Sequence, residues 1–253
     1  MRISSLSPGE IRKRIEQSNQ DSYKDQAQYI YWENCALLSD YEFMDCPCGS
    51  ECWCKRRGCM GHYRIKEISF NQFLDTYITL WTPKNARENI KNAVLTGKPF
   101  KGRQRNAIPA LTWLRQNWSA TLACARSCTE SGLCDPNINI GGHVTNVNLY
   151  EAKMWSQLFY DVLVPFDTAS RKEIKRAGYT TTDFVTMNRE LFGDLKRFAE
   201  AHGLDVVDIR TLDSPSAIAP SLSPLEGGQP LSRVLDKIFY SPKKRSSPAD
   251  LPI

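Results

Sequence analysis

Five cysteines and one histidine crowd into one short segment of this chain. The stretch CPCGSECWCKRRGCMGH contains Cys46, Cys48, Cys52, Cys54, Cys59 and His62. This polar segment has little apolar surface to bury, so its fold depends on what its cysteines bind. Thiolate and imidazole are the usual ligands of tetrahedral zinc. We therefore predict a zinc-binding insertion over residues 45–63, with an iron–sulfur cluster or a set of free thiols as the alternatives.

A second, looser cysteine cluster follows in CARSCTESGLC. It contains Cys124, Cys128 and Cys134, and His143 lies nine residues beyond. These residues either form a second zinc site, add ligands to the first, or are independent core thiols. The sequence leaves the three possibilities open.

The composition indicates the cellular compartment and the class of binding partner. The chain has 253 residues, nine cysteines and a net charge of +5. The odd cysteine count and the polar N-terminal stretch favour a reducing, cytoplasmic location over a disulfide framework. No apolar run approaches the roughly 20 residues that a membrane span needs, so we expect no membrane partner. The positive charge suits a polyanion such as DNA.

Helical periodicity dominates the rest of the chain, which predicts a mainly α fold. FNQFLDTYITLW places its apolar residues on one face, and Ser7 with Glu10 forms a capping signal before IRKRIEQ. We divide the chain into N-terminal helices (1–44), the cysteine-rich insertion (45–63), a helical core (64–212), a linker with a last helix (213–240) and a disordered tail (241–253).

The stretch VPFDTASRKEIKRAGY raises the question of catalysis. A short apolar run ends at Pro165 and Phe166, and Asp167 then precedes a basic segment with helical spacing that reaches Gly178. A carboxylate at a helix N-terminus is kept ionised by the free N–H groups and the helix dipole. Asp167 is therefore either a catalytic carboxylate or only the cap of the following helix.

The same stretch resembles the segment that carries the catalytic aspartate in the helix-hairpin-helix DNA glycosylases. The resemblance covers about residues 140–180 and rests on Val164, Pro165, Asp167, Thr168, Arg171, Arg176 and Gly178. It implies a glycosylase-like fold of the helix-hairpin-helix type, with Asp167 as the essential carboxylate. Lys153 is the candidate for the amine that gives bifunctional members their lyase activity. Ala169 stands where the family has histidine.

Basic residues elsewhere suit contacts with DNA phosphates. The stretch GKPFKGRQR holds Lys101, Arg103 and Arg105 around its glycines, Arg56 and Arg57 lie within the first cysteine cluster, and Arg171 follows Asp167. A solvated surface is the alternative for all six.

The leading hypothesis is a DNA glycosylase-like hydrolase. It would excise a damaged or modified base by base flipping, in DNA repair or in defence against phage DNA. The alternatives are a non-catalytic, zinc-stabilised nucleic-acid-binding protein and a metal-dependent nuclease.

Overall fold

The computed structural model describes residues 1–20, 38–42, 62–82, 84–130, 154–155, 158–159, 163–164, 168–204, 206–210, 212 and 231–240. This part of the chain is mainly helical, as the periodicity predicts. The helices are α1 (Pro8–Asn19), α2 (Phe70–Trp81), α3 (Arg87–Thr96), α4 (Ile108–Gln116), α5 (Trp118–Glu130), α6 (Thr168–Arg176), α7 (Phe184–Ala201), α8 (Val206–Arg210) and α9 (Leu231–Ile238). Short 3-10 helices span Ile3–Ser5, Lys84–Ala86 and Arg103–Ala107.

Local capping signals fix where several helices begin. Ser7 caps α1 through a reciprocal pair of bonds with Glu10, as predicted, and Ser69 caps α2 in the same way with Gln72. Each pair satisfies two N–H groups that the first turn leaves without helical partners. Asp183 accepts the backbone N–H of Thr186 at the start of α7. These starts are therefore set by residues close in sequence.

Two short strands frame the cysteine-rich segment, and neither was predicted. Strand β1 (Ser39–Glu42) pairs antiparallel with β2 (His62–Ile65), with Ser39 opposite Ile65 and Glu42 opposite His62. We had expected residues 45–63 to be irregular, yet His62 begins a strand. The pairing brings the two ends of the intervening segment, residues 43–61, together.

The core forms where the apolar stripes of the helices meet. In α2 the predicted face is buried, including Phe73, Leu74 and Tyr77. Helix α3 packs against α2 and α4, and α5 packs against β2. Helix α4 ends before Asn117, and a separate helix, α5, follows.

The last helix belongs to this core. Every residue of α9 is buried, and the helix packs against α1 and α8. Lys237 Nζ donates to Asn19 Oδ1 at 2.6 Å, and Arg14 donates to the Ile238 carbonyl at 3.4 Å. The N-terminal and C-terminal helices of the described chain are thus joined by packing and by polar contacts.

No helix in the described part of the chain combines the length and the apolar character required for crossing a membrane.

Candidate functional site

The chain on both sides of Asp167 is held in place by buried contacts. Val164 is fully buried, and its backbone N–H donates to Asn188 Oδ1 at 2.8 Å. The same Asn188 side chain donates to the Phe184 carbonyl one turn earlier in α7, at 2.8 Å. On the other side, α6 begins at Thr168, the residue directly after Asp167. The predicted helix after Asp167 is therefore confirmed, although Asp167 itself lies outside the described residues.

Helix α6 ends as predicted at a glycine with left-handed backbone geometry. Gly178 has a φ of 87°, which residues with a Cβ rarely adopt. Its N–H donates to the Lys175 carbonyl, and the Tyr179 N–H donates to the Ile174 carbonyl, so the free carbonyls of the last turn are satisfied. Gly178 thereby directs the chain from α6 into the buried Tyr179.

Tyr179 and Asp194 connect α6 and α7 to the start of the chain. The Tyr179 hydroxyl accepts the Ile3 backbone N–H at 2.8 Å and donates to Asp194 Oδ2. Asp194 also accepts the Ser4 backbone N–H at 3.0 Å and an Arg197 N–H at 2.8 Å. The first residues of the chain are therefore fixed against α7.

This network shifts the pKa values of both members. Burial, followed by the hydrogen bond to Asp194, raises the pKa of the Tyr179 phenol well above its ordinary value. Burial alone would raise the pKa of the Asp194 carboxyl as well. The hydrogen bonds from Tyr179, Ser4 and Arg197 outweigh that effect and lower it. Asp194 therefore stays ionised and structural.

The outer face of α6 is basic. Lys172, Lys175 and Arg176 are exposed, whereas Arg171 is half-buried. Arg176 pairs with Glu173 one turn earlier, and Ile174 and Ser170 face the interior. The helix that follows Asp167 thus presents positive charge to solvent.

A second basic region lies in the connection between α3 and α4. Lys98, Lys101 and Arg105 are exposed there. Gly97 ends α3 with a φ of 74°, and Arg115 on α4 donates to the Leu95 carbonyl at 2.7 Å. The connection is therefore anchored at both ends. Arg103 lies in its 3-10 helix, but its side chain is outside the described part.

His62 of the first cysteine cluster lies on an element that packs against the helix of Cys124 and Cys128. His62 begins β2, and α5 packs against that strand. Helix α5 carries Cys124, which is half-buried, and Cys128 one turn further on. Residues four apart lie on the same side of a helix.

Cys124 and Cys128 therefore belong to a helix. The sequence analysis did not predict this helix, although Trp118, Leu122 and Ala125 have the spacing of an apolar helical stripe.

A cavity of about 330 Å³ opens between α5 and the segment that joins β2 to α2. Its lining includes Glu67, Trp118 and Arg126, and Arg126 Nη1 lies 3.2 Å from Glu67 Oε2. No sequence motif pointed to this cavity, because its two walls are about sixty residues apart.

Several predicted site residues lie outside the described residues: Cys46, Cys48, Cys52, Cys54, Arg56, Arg57, Cys59, Cys134, Lys153 and Asp167. The same holds for the side chains of His62 and Cys128. Within the residues that the structure describes, no three histidine, cysteine or acidic side chains are grouped to hold a metal ion. Close to Lys153 in sequence, Trp155 and Phe159 are buried.

Comparison of the chain with models of protein families, with curated proteins and with solved structures found no match.

Proposed function

We propose that this protein is a DNA glycosylase-like enzyme that excises a damaged or modified base, with Asp167 as its essential carboxylate. The observation that carries the proposal is the position of Asp167 directly before α6, three residues after the buried and hydrogen-bonded Val164. A catalytic group must be held in a fixed position to act in the transition state. The fixed chain on either side of Asp167 supports that requirement.

The chemistry follows from the carboxylate. Cleavage of the bond between C1′ and the base nitrogen develops positive charge on the sugar. An ionised carboxylate beside C1′ stabilises that charge and orients the attacking water. The N-terminal end of α6, with its free N–H groups, favours the ionised form of Asp167. Lys153 would instead supply an amine that attacks C1′ and leads to strand scission.

The DNA partner is supported by two exposed basic regions. One is the outer face of α6, with Lys172 and Lys175, and the other is the anchored connection with Lys101 and Arg105. For each phosphate that a side chain neutralises, the slope of the logarithm of the binding constant against the logarithm of the salt concentration becomes more negative by about 0.9. We expect the double variant Lys101→Gln/Arg105→Gln to lower that slope by up to about 2. Exposed Arg12 and Lys13 on α1 provide the matched control pair.

Zinc would have a structural role in this account. The β1–β2 pair closes the base of the segment that holds Cys46, Cys48, Cys52, Cys54 and Cys59, and the antiparallel register sets Glu42 beside His62. A short segment with several thiols and closed ends fits a zinc-held loop. This observation also favours the second candidate, a zinc-stabilised DNA-binding protein in which Asp167 only caps α6.

Base release separates the candidate functions. The protein would be incubated without added Mg²⁺ with genomic DNAs rich in different damaged or naturally modified bases, and released bases would be measured by mass spectrometry. A glycosylase releases a free base and leaves an alkali-labile site without Mg²⁺. Salt-sensitive binding with no product would favour the binding protein, and Mg²⁺-dependent nicking would favour a nuclease.

A further inference from the structure

We infer that the cavity between α5 and the β2–α2 segment binds an unstacked nucleobase of the DNA strand. The inference rests on the DNA partner of the proposed function and does not involve base cleavage. The cavity lies on α5 and on the residues that follow β2, whereas Asp167 directly precedes α6. Its volume of about 330 Å³ is at the lower end of the range for small-molecule sites.

Trp118 gives the cavity a rigid aromatic wall. Its indole N–H donates to the Ile68 carbonyl at 2.9 Å, so it offers a ligand only carbon surface. Phe70 and Phe73 hold the ring from the protein side, with ring centroids 5.7 Å and 5.3 Å away. A tryptophan held in this way loses little side-chain entropy when a planar group stacks on it.

The polar side chains that line the cavity are those of Glu67, Ser69, Ser119 and Arg126. The Arg126 side chain is 26% exposed and the Glu67 side chain 85% exposed. Arg126 Nη1 bonds to Glu67 Oε2, and the guanidinium carries further N–H donors for a ligand that enters the cavity. Glu67 can accept from the same ligand.

These features together select a nucleobase. The edge of a base carries acceptors for a guanidinium and, in guanine, adenine and cytosine, an amino donor for a carboxylate. Its face stacks on an aromatic ring, which contributes roughly 1–3 kcal/mol per base. A free phosphate would be repelled by Glu67, and an aliphatic group would displace water from the Arg126–Glu67 pair without offering a hydrogen bond in return. Leu122 and Ile68 complete the apolar lining.

The test compares two single-stranded oligonucleotides that have the same phosphate backbone. One carries bases and the other is abasic at every position, so the ratio of their Kd values isolates the contribution of the bases. We expect Trp118→Leu and Arg126→Gln each to reduce this ratio about 5-fold or more. Arg12→Gln, a change of an exposed arginine on α1, should leave the ratio unchanged.

Control measurements distinguish a loss of base binding from a loss of folding or of base cleavage. Far-UV circular dichroism and the melting temperature report whether Trp118→Leu folds, and Arg126→Gln tests the site without disturbing the aromatic packing. An unchanged ratio in folded Arg126→Gln, or a wild type that does not distinguish the two oligonucleotides, would overturn the inference. Asp167→Asn is expected to release no base but to keep the wild-type ratio of Kd values. A retained ratio supports the cavity assignment independently of the glycosylase proposal.

Discussion

The Tyr179 hydroxyl donates a hydrogen bond to Asp194 Oδ2 while it accepts the backbone N–H of Ile3. Both side chains are buried, and Arg2 lies over the Tyr179 ring at 4.9 Å from its centroid. The contact joins residues from the start of the chain to α7, across about 190 positions. The N-terminus is therefore held against the end of α6 and against α7.

Removal of the Tyr179 hydroxyl should destabilise the fold. Tyr179→Phe leaves the buried Ile3 N–H without its acceptor and Asp194 without one donor, so we expect a loss of about 1–3 kcal/mol in urea unfolding. A double-mutant cycle with Asp194→Asn should show a coupling of roughly 0.5–3 kcal/mol. Additive effects of the two substitutions would contradict a direct interaction.

The pH dependence of the free energy of unfolding should reflect the ionisation of Tyr179 and Asp194. The pKa of Asp194 is lowered from its ordinary value of 3.8, so its contribution is complete above that pH and is lost as the pH falls through the lowered value. The pKa of Tyr179 is raised from 10.0, so its contribution is lost only as the pH rises beyond that value. Unfolding measured from pH 2 to 7 should show a shallower acid decline for Asp194→Asn. Equal declines would contradict this account.

Asn188 should act as a positioning residue for the segment before Asp167. Asn188→Leu removes the acceptor of the Val164 N–H and should cost about 1–3 kcal/mol of stability. If the glycosylase proposal holds, the rate of base release should also fall, by roughly 10-fold, while DNA affinity is unchanged. Asn92→Leu, on the half-buried surface of α3, is the matched control. If Asn188→Leu is destabilised but releases base at the wild-type rate, Asn188 does not act as a positioning residue for the site.

Zinc removal should destabilise the described fold near β2. We expect the purified protein to contain at least one zinc ion per chain, and chelation to lower the melting temperature by roughly 10 °C or more. Cys52→Ser should reduce the zinc content, and Glu51→Gln in the same segment should not. Bound iron with visible absorption would contradict the zinc assignment, as would a metal-free protein with an unchanged melting temperature.

Much of the helical fold follows from local patterns in the sequence. Ser7 with Glu10 and the glycines at 178 and 203 act through contacts within a few residues, and each lies where the pattern predicted a helix end. The apolar spacing of α2 likewise gave its buried face. Such signals need no knowledge of the tertiary structure.

The remaining features depend on partners that are distant in sequence. Strands β1 and β2 have four residues each and pair across the cysteine-rich segment, so neither shows a clear alternation of its own. Asn188 and Asp194 are polar residues within an amphipathic helix, and only the packed structure reveals their buried partners. The cavity with Glu67 and Arg126 also forms between residues that are distant in sequence, so no local pattern predicts it. For the candidate site, the sequence predicted the helix after Asp167 but not the hydrogen bond that holds Val164.

The most direct test of the glycosylase proposal is base release by the wild type and by Asp167→Asn. Both proteins would be incubated without added Mg²⁺ with the DNA that gives the highest release in the screen, and their melting temperatures would be compared first. The proposal predicts a released base and an alkali-labile site with the wild type, and a loss of at least about 100-fold in Asp167→Asn with the fold intact. Release that persists in a folded Asp167→Asn would contradict a catalytic role and leave Asp167 as the cap of α6.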